Sequence, residues 1–236
     1  MSTLLELVNL ARMEAGIPGG DLSTVQGTLT QESIRFKTWV QSEWIRLQST
    51  HADWQFLRVS REFDTTADQA TYTAQQAKAT SDGTTTGASI LGNWKLDSFR
   101  LATAGQNYAD EAILSFMPWE QYRNLYQYGS MRAARSKPVV FAVDPQKQLW
   151  FGIVPNGAYT VPYEFYRTPQ ALSADSDTPL MPERYHSLVA YRALRAYGIF
   201  MAAPEVIGRA DHMIGEMYPT LVSDQLPKMM AGPPLA

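Results

Sequence analysis

One stretch, Leu180 to Val206, constrains the fold more than any other part of the chain: LMPERYHSLVAYRALRAYGIFMAAPEV. Pro182 suits a first helical turn, where its missing N–H would have no partner anyway, and Glu183 complements the positive end of a helix. Tyr185, Val189, Ala193, Ala196 and Phe200 recur at offsets of 4, 4, 3 and 4, which places them on one helical face. Arg184, Tyr191 and Arg195 form a second stripe opposite it. A further helix starts at once, with Pro204 in its first turn. Two charged-faced helices meeting at an Ala-Ala-Pro corner read as a docking element.

Length and composition narrow the classes. The 236 residues fit one large domain, or one with a sizeable insertion, able to bury roughly 70% of the unfolded surface. Charged residues make up only 18%, beside 6 Trp, 12 Tyr and 9 Phe. That balance suits a surface covered by neighbours, and equally a large aromatic core. A net charge of −3 gives no bulk attraction to nucleic acid. With no cysteine, disulfides, thiolate metal sites and thiol nucleophiles are excluded together. The N-terminal LLELVNLARMEAG carries two acidic residues and one basic residue, and is too short and charged to span a bilayer or direct secretion.

Three zones follow from the periodicity. Residues 2–57 read as helical: Leu4, Val8, Ala11 and Ala15 repeat up to Gly16, and Phe36, Val40, Trp44 and Leu47 form a second stripe behind a Thr30 cap, thickened by Ile34 and Ile45. From 58 to 170 the period becomes that of strands. Residues 65–93, rich in Thr and Ala, predict a hairpin with a long mobile tip, and Pro118 opens a short helix over 118–128. Tyr159, Val161, Tyr163 and Phe165 alternate cleanly, and Pro162 among them predicts an edge strand or a bulge. Residues 180–222 form the closing helices, and 223–236, with three prolines, an extended tail. The expected fold is α+β: a bundle of N- and C-terminal helices with an inserted antiparallel β-rich domain.

Candidate chemistry is sparse. His212 and Glu216 stand one helical turn apart without a third metal ligand, so no metal or cofactor is expected. His51 reads as a helix-end residue and His186 as a rim residue. Asp175 and Asp177 sit in a loop of small polar residues and read as solvated charges. No phosphate loop, dinucleotide fingerprint or nucleophile elbow occurs, and Gly16 to Gly20 follow a helix and lack a lysine. Trp54 with Phe56, Trp119 with Tyr122, and Tyr126 with Tyr128 suit stacking on bases or sugars, or a core; Arg132, Arg135 and Lys137 form only a small basic group. A hydrolase would need convergence among Asp97, Asp110, Glu111, Glu120 and Glu164, none of which falls in a motif. A carbohydrate- or protein-binding module would instead need an exposed aromatic platform.

The order of segments carries a resemblance. A long helix runs into Trp54–Leu57; Gln69-Ala-Thr-Tyr72 follows, then the β-rich middle, Met181-Pro-Glu-Arg-Tyr185, and Ala203-Pro-Glu-Val206. In this order the chain resembles the head-to-tail connector (tail adaptor) family of tailed bacteriophages, including tail-tube gatekeepers. The resemblance implies a non-enzymatic virion protein of the neck, assembled in the host cytoplasm as a ring of about a dozen copies. It also implies partners: the portal, a tail tube, nozzle or tail-fibre protein, and double-stranded DNA in transit. On that reading the helices face the portal and the β part faces the tail, with Arg184, Tyr191 and Arg195 toward a neighbouring copy or the portal. The tail, including Pro227, Lys228, Met229 and Met230, would then lie extended on the portal.

Overall fold

A computed structural model describes residues 2–81 and 87–227. It is α+β, with terminal helices and a β-rich middle, and divides into two compact units: Met1–Leu57 with Pro169–Ala236, and Arg58–Thr168.

Five α-helices occur among the described residues: α1 (Leu4–Glu14), α2 (Gln31–Gln48), α3 (Trp119–Tyr122), α4 (His186–Phe200) and α5 (Pro204–Gln225). All but α3 belong to the first unit. The start of α1 is a reciprocal cap: Glu6 N–H donates to the Thr3 hydroxyl, and Thr3 N–H to the Glu6 carboxylate. Thr30 caps α2 through Ser33 N–H. Leu4, Leu7, Val8 and Ala11 of α1 are buried with Phe36, Val40, Trp44 and Leu47 of α2. Against them pack Leu188, Val189, Ala193 and Leu194 of α4, each fully buried side chain contributing about 1.5–3 kcal/mol where it is large. Ile34 and Ile45, expected to widen this stripe, are instead exposed, because neither lies on the side of α2 that meets α1 and α4.

A 3-10 turn over Glu183–Tyr185 leads into α4. His186, expected at a rim, is 2% exposed. Its Nδ1 accepts from Ser2 N–H at 3.2 Å and its Nε2 donates to the Met181 carbonyl at 2.9 Å, so the ring joins the chain start to the approach to α4. At the other end, the expected apolar stripe opens out: Ala196 is half-buried and Phe200 exposed. Where α4 turns into α5, a Cβ on Gly198 would lie 2.9 Å from Ile207 Cγ1, so the missing side chain sets the approach of the two helices.

The second unit starts from β1 (Arg58–Asp64), β2 (Thr71–Tyr72), β3 (Leu91–Trp94), β4 (Arg100–Thr103), β5 (Ala112–Ile113) and β6 (Ser115–Phe116). After α3, extended by a wider turn over Arg123–Gln127, come β7 (Arg135–Ser136), β8 (Val140–Val143), β9 (Leu149–Phe151), β10 (Val154–Pro155) and β11 (Tyr159–Arg167). One sheet runs β1-β11-β4-β5 with β3 also on β11, a second runs β2-β9-β8-β6, and β10 pairs with β7. β1 and β11 are antiparallel over their whole length, from Arg58 opposite Tyr166 to Asp64 opposite Thr160. Phe63, Val161, Tyr163 and Phe165 point inward, and Phe99 lies between Tyr163 (ring centroids 5.4 Å apart) and Phe141 (4.3 Å).

Two expectations are refined here. Within residues 65–93 only the middle has the antiparallel pairing of a hairpin, with Thr80 opposite Ser89, Ser81 N–H donating to the Ala88 carbonyl and Ile90 N–H to the Ala79 carbonyl; β2 pairs instead with β9 and β3 with β11. Thr73 and Gln76 close a turn after β2, and the following Ala77 and Ala79 are small enough to enter the core instead of projecting from it. The expected tip, 82–86, lies outside the described residues. β11 has partners on both sides and so is not an edge strand, and the bulge expected as the alternative lies in its pairing with β3, between Tyr166 and Arg167, and not at Pro162. Pro162 sits opposite Glu62 of β1, and its nitrogen points the other way, like that of Glu164, which donates to the Ser98 hydroxyl. On that side β4 covers 159–160 and β3 covers 165–167, so Pro162 occupies the gap between two partners and deprives no strand of a donor.

Candidate interaction surfaces

In the helical unit, α4 forms the floor of a cleft of about 290 Å³ between α2 and α5. Glu43 of α2, buried, accepts from Arg46 at 2.7 Å and from Arg192 of α4 at 3.0 Å. Opposite them Arg195 pairs with Asp211 of α5 at 2.6 Å, and Ile199 and Ile214 complete the lining. A buried carboxylate needs such partners, since desolvating it alone would cost several kcal/mol. Beyond the cleft, Ile199, Phe200 and Met201 are each more than half exposed, with Arg35 stacked on the Phe200 ring at 4.5 Å.

The three residues of the charged stripe take different surroundings. Arg184 pairs with Asp224 at 2.6 Å and lies over the Tyr185 ring; Arg195 pairs with Asp211; Tyr191 is half-buried, its hydroxyl pushed up by burial and by Glu14. Both arginines thus reach across to α5 while keeping about half or more of their side chains exposed. Pro227 is exposed just past α5; Lys228, Met229 and Met230 lie outside the described residues.

The remaining candidates resolve into structural roles. His51 Nε2 lies 3.1 Å from the Tyr218 hydroxyl, and its ring meets the edge of Trp54, so it acts in packing and not as a helix cap. Trp54 is buried and stacks with Phe56, itself stacked on Trp44, which makes that pair core. His212 pairs with Glu216 at 3.3 Å on the surface, and no cluster of three potential metal ligands occurs among the described residues. Asp175 and Asp177 are not merely solvated: Asp175 accepts from the Thr24 hydroxyl and Val25 N–H, and Asp177 from Ser173 and Ala174 N–H.

Each carboxylate proposed for hydrolysis sits against a cation. Asp110 takes Lys137 Nζ at 2.6 Å and the Thr103 hydroxyl, which together hold its carboxyl well below the usual range. Asp97 is also lowered, by Lys95, and Glu111 and Glu120 pair with Arg100 and Arg123. Asp97 and Glu164 do reach one cleft, beside the Pro162 gap, but they share Lys95 there. A general acid requires a raised pKa, the opposite of what Lys95 produces.

The aromatic residues after Pro118 make the second surface. Trp119 and Tyr122 stack at 5.4 Å, and Tyr122 and Tyr126 at 5.6 Å, over Trp150 of β9. Tyr122, Tyr126, Tyr128, Met131, Trp150 and neighbours line a groove of about 300 Å³. Gly152 makes room for it, since a Cβ there would meet the Tyr126 ring at 3.1 Å. Sequence reading noticed the rings of 119–128 but not Trp150 or Gly152, which only the β-pairing brings beneath them.

The SU10 adaptor protein family matches residues 2–223, nearly the whole chain, and the chain belongs to that family of bacteriophage structural adaptor proteins. No curated protein matches it. Among the described residues, no helix is long and apolar enough to cross a membrane.

Proposed function

We propose that copies of this chain form a ring, of about a dozen subunits, that joins the capsid portal to the tail and lines part of the DNA conduit. The observation that carries this reading is the exposed apolar corner between α4 and α5. Along α5 Ala210 and Leu221 are buried and Val206, Ile207, Met213, Ile214, Met217 and Val222 half-buried, whereas Ile199, Phe200 and Met201 at the corner are each more than half exposed. Ring subunits carry two unlike side faces as well as axial contacts, so apolar surface left open in one copy is covered in the assembly.

On this reading Arg184 and Arg195, held by Asp224 and Asp211 of α5, meet a neighbouring copy or the portal together with Tyr191, and the segment from Pro227 through Lys228, Met229 and Met230 contacts a partner. The β-rich unit then meets the next tail component, a tube, nozzle or fibre protein. DNA passes without tight binding, in keeping with a slightly acidic chain. The test is the mass of the protein by light scattering, alone and with purified portal. A complex of about a dozen copies on the portal is expected. Monomers at every salt concentration, with and without portal, would reject the ring.

A further inference from the structure

We infer that the aromatic groove of the β-rich unit is a receptor for a proline-rich peptide segment in extended form, and that its occupant is residues 226–236 of a second copy. The choice of ligand follows from what lines the groove. Tyr126, Tyr128 and Trp150 offer ring faces and two hydroxyls over the buried Tyr122, whose own hydroxyl is held by the Phe151 carbonyl, and Arg132 gives a single cation. Gln127 also lines it, and its side-chain carbonyl oxygen is buried without a hydrogen-bond partner among the described residues. A buried acceptor left unpaired costs free energy that a ligand N–H recovers.

Three ligand classes compete for such a site. Nucleic acid asks for several cations along the backbone, and the groove has one. A sugar presents many hydroxyls that both donate and accept, yet no carboxylate lines the groove and a single amide does. An extended proline-rich segment fits both properties: its rings pack flat on aromatic faces, and its backbone, which makes no internal hydrogen bonds, keeps amide groups free for Gln127 and the tyrosine hydroxyls.

The chain itself contains such a segment, Leu-Pro-Lys-Met-Met-Ala-Gly-Pro-Pro-Leu-Ala, at 226–236. Pro233 and Pro234 are adjacent, and methionines and leucines flank them, so the segment supplies ring-shaped and apolar groups with one charge. Its source in a second copy rests on the multi-copy reading above; the chemistry of the groove does not.

The experiment has two arms. First, a fluorescently labelled synthetic peptide of residues 226–236 is titrated against the full chain, its Tyr126→Ala variant, and a peptide with Pro233→Ala and Pro234→Ala. Saturable binding to the full chain is expected, weakened about tenfold or more by either change. Circular dichroism confirms that Tyr126→Ala is folded; should it not be, Gln127→Leu, which deletes the acceptor, is the second variant. No binding, or quenching of tryptophan fluorescence by neutral oligosaccharides and not by the peptide, would overturn the assignment. Second, a photo-crosslinking residue at Met131, which lines the groove and is exposed, is irradiated in a mixture of isotope-labelled and unlabelled chains. Adducts joining it to residues 226–236 of the other isotope are expected, and adducts within one chain would overturn the second-copy source. Peptide binding by a protein that never forms rings would separate failure of the assembly from failure of the groove.

Discussion

Gly198 and Gly208 offer the same substitution with opposite expected signs. Both are helical glycines, in α4 and α5, and in a helix interior glycine costs roughly 0.5–1 kcal/mol relative to alanine. At Gly208 a Cβ meets nothing within 4 Å, so Gly208→Ala should recover that amount. At Gly198 the added Cβ would lie 2.9 Å from Ile207 Cγ1, 3.1 Å from the Ile207 backbone nitrogen and 3.3 Å from Val206 Cγ1. The Ile207 side chain can rotate, but its backbone cannot retreat without moving the corner between α4 and α5. Overpacking of this kind costs about 1–3 kcal/mol, so Gly198→Ala should be destabilised by about 1 kcal/mol net. The two variants then differ by about 2 kcal/mol.

Denaturant unfolding of dilute protein, followed by far-ultraviolet circular dichroism, measures the difference in the helical signal. In thermal melts each kcal/mol corresponds to about 2–4 °C for a chain of this size. Removing Ile207 Cγ1 with Ile207→Ala should make the later addition of a methyl at Gly198 cheaper, leaving the contacts with the Ile207 backbone and Val206 Cγ1, and a double-mutant cycle isolates the Ile207 side-chain term. If Gly198→Ala raises the midpoint as Gly208→Ala does, the close approach of α4 and α5 is not as described and the reasoning fails.

In the β-rich unit, Gly92→Ala should cost about 3 kcal/mol, because its Cβ would lie 2.7 Å from the Arg167 carbonyl oxygen, part of a backbone with no room to yield; tryptophan-fluorescence unfolding reads this directly. Burial pushes the Tyr122 hydroxyl up to about 12, above its unfolded value of about 10, so folding favours the neutral form. Stability should therefore hold below about pH 10 and fall as pH rises toward 12, and Tyr122→Phe should flatten that decline while losing about 1 kcal/mol at neutral pH with the hydrogen bond to the Phe151 carbonyl. Phe200→Glu should lower the assembled mass in light scattering while reducing stability by only about 1 kcal/mol, the loss of its ring contacts with Arg35 and Trp39.

How much of this fold could be read in advance depended on the length of the periodic signal. The stripes Leu4-Val8-Ala11 and Phe36-Val40-Trp44-Leu47 run over about two and three turns, and the buried faces of α1 and α2 contain them. Ile34 and Ile45 show the limit, since periodicity marks a hydrophobic side but not how far the neighbouring helices extend across it. His186 and Asp175 misled for another reason. Their partners, Ser2 and the Thr24–Val25 turn, are more than a hundred residues away, and no local spacing announces them. In the β-rich unit β2, β5, β6, β7 and β10 have two residues each, too few for an alternation to register. Pro162 was read correctly as a missing donor, but one strand can have two partners on a side with a gap between them. The aromatic groove was half visible: its rings follow Pro118 in sequence, while Trp150 and Gly152 reach it only through the β8–β9 pairing.

The same reasoning bears on α5. A helix of 22 residues gains little from propensity alone, because isolated helices are marginal in water and helices in proteins depend on a packed face. Here Ala210 and Leu221 are buried and Val206, Ile207, Met213, Ile214, Met217 and Val222 half-buried, which supplies that face, while Pro219 removes one intrahelical hydrogen bond. Arg195–Asp211, Arg184–Asp224 and Arg209–Glu14 hold the helix along its length, yet all three pairs are partly exposed, and such pairs contribute about 0–1 kcal/mol each. Ion pairs of this strength position a helix without making its apolar stripe indifferent to water. What stays open to water is the corner before α5, where Ile199, Phe200 and Met201 are each more than half exposed, and that is the apolar surface which neighbouring copies would cover in a ring.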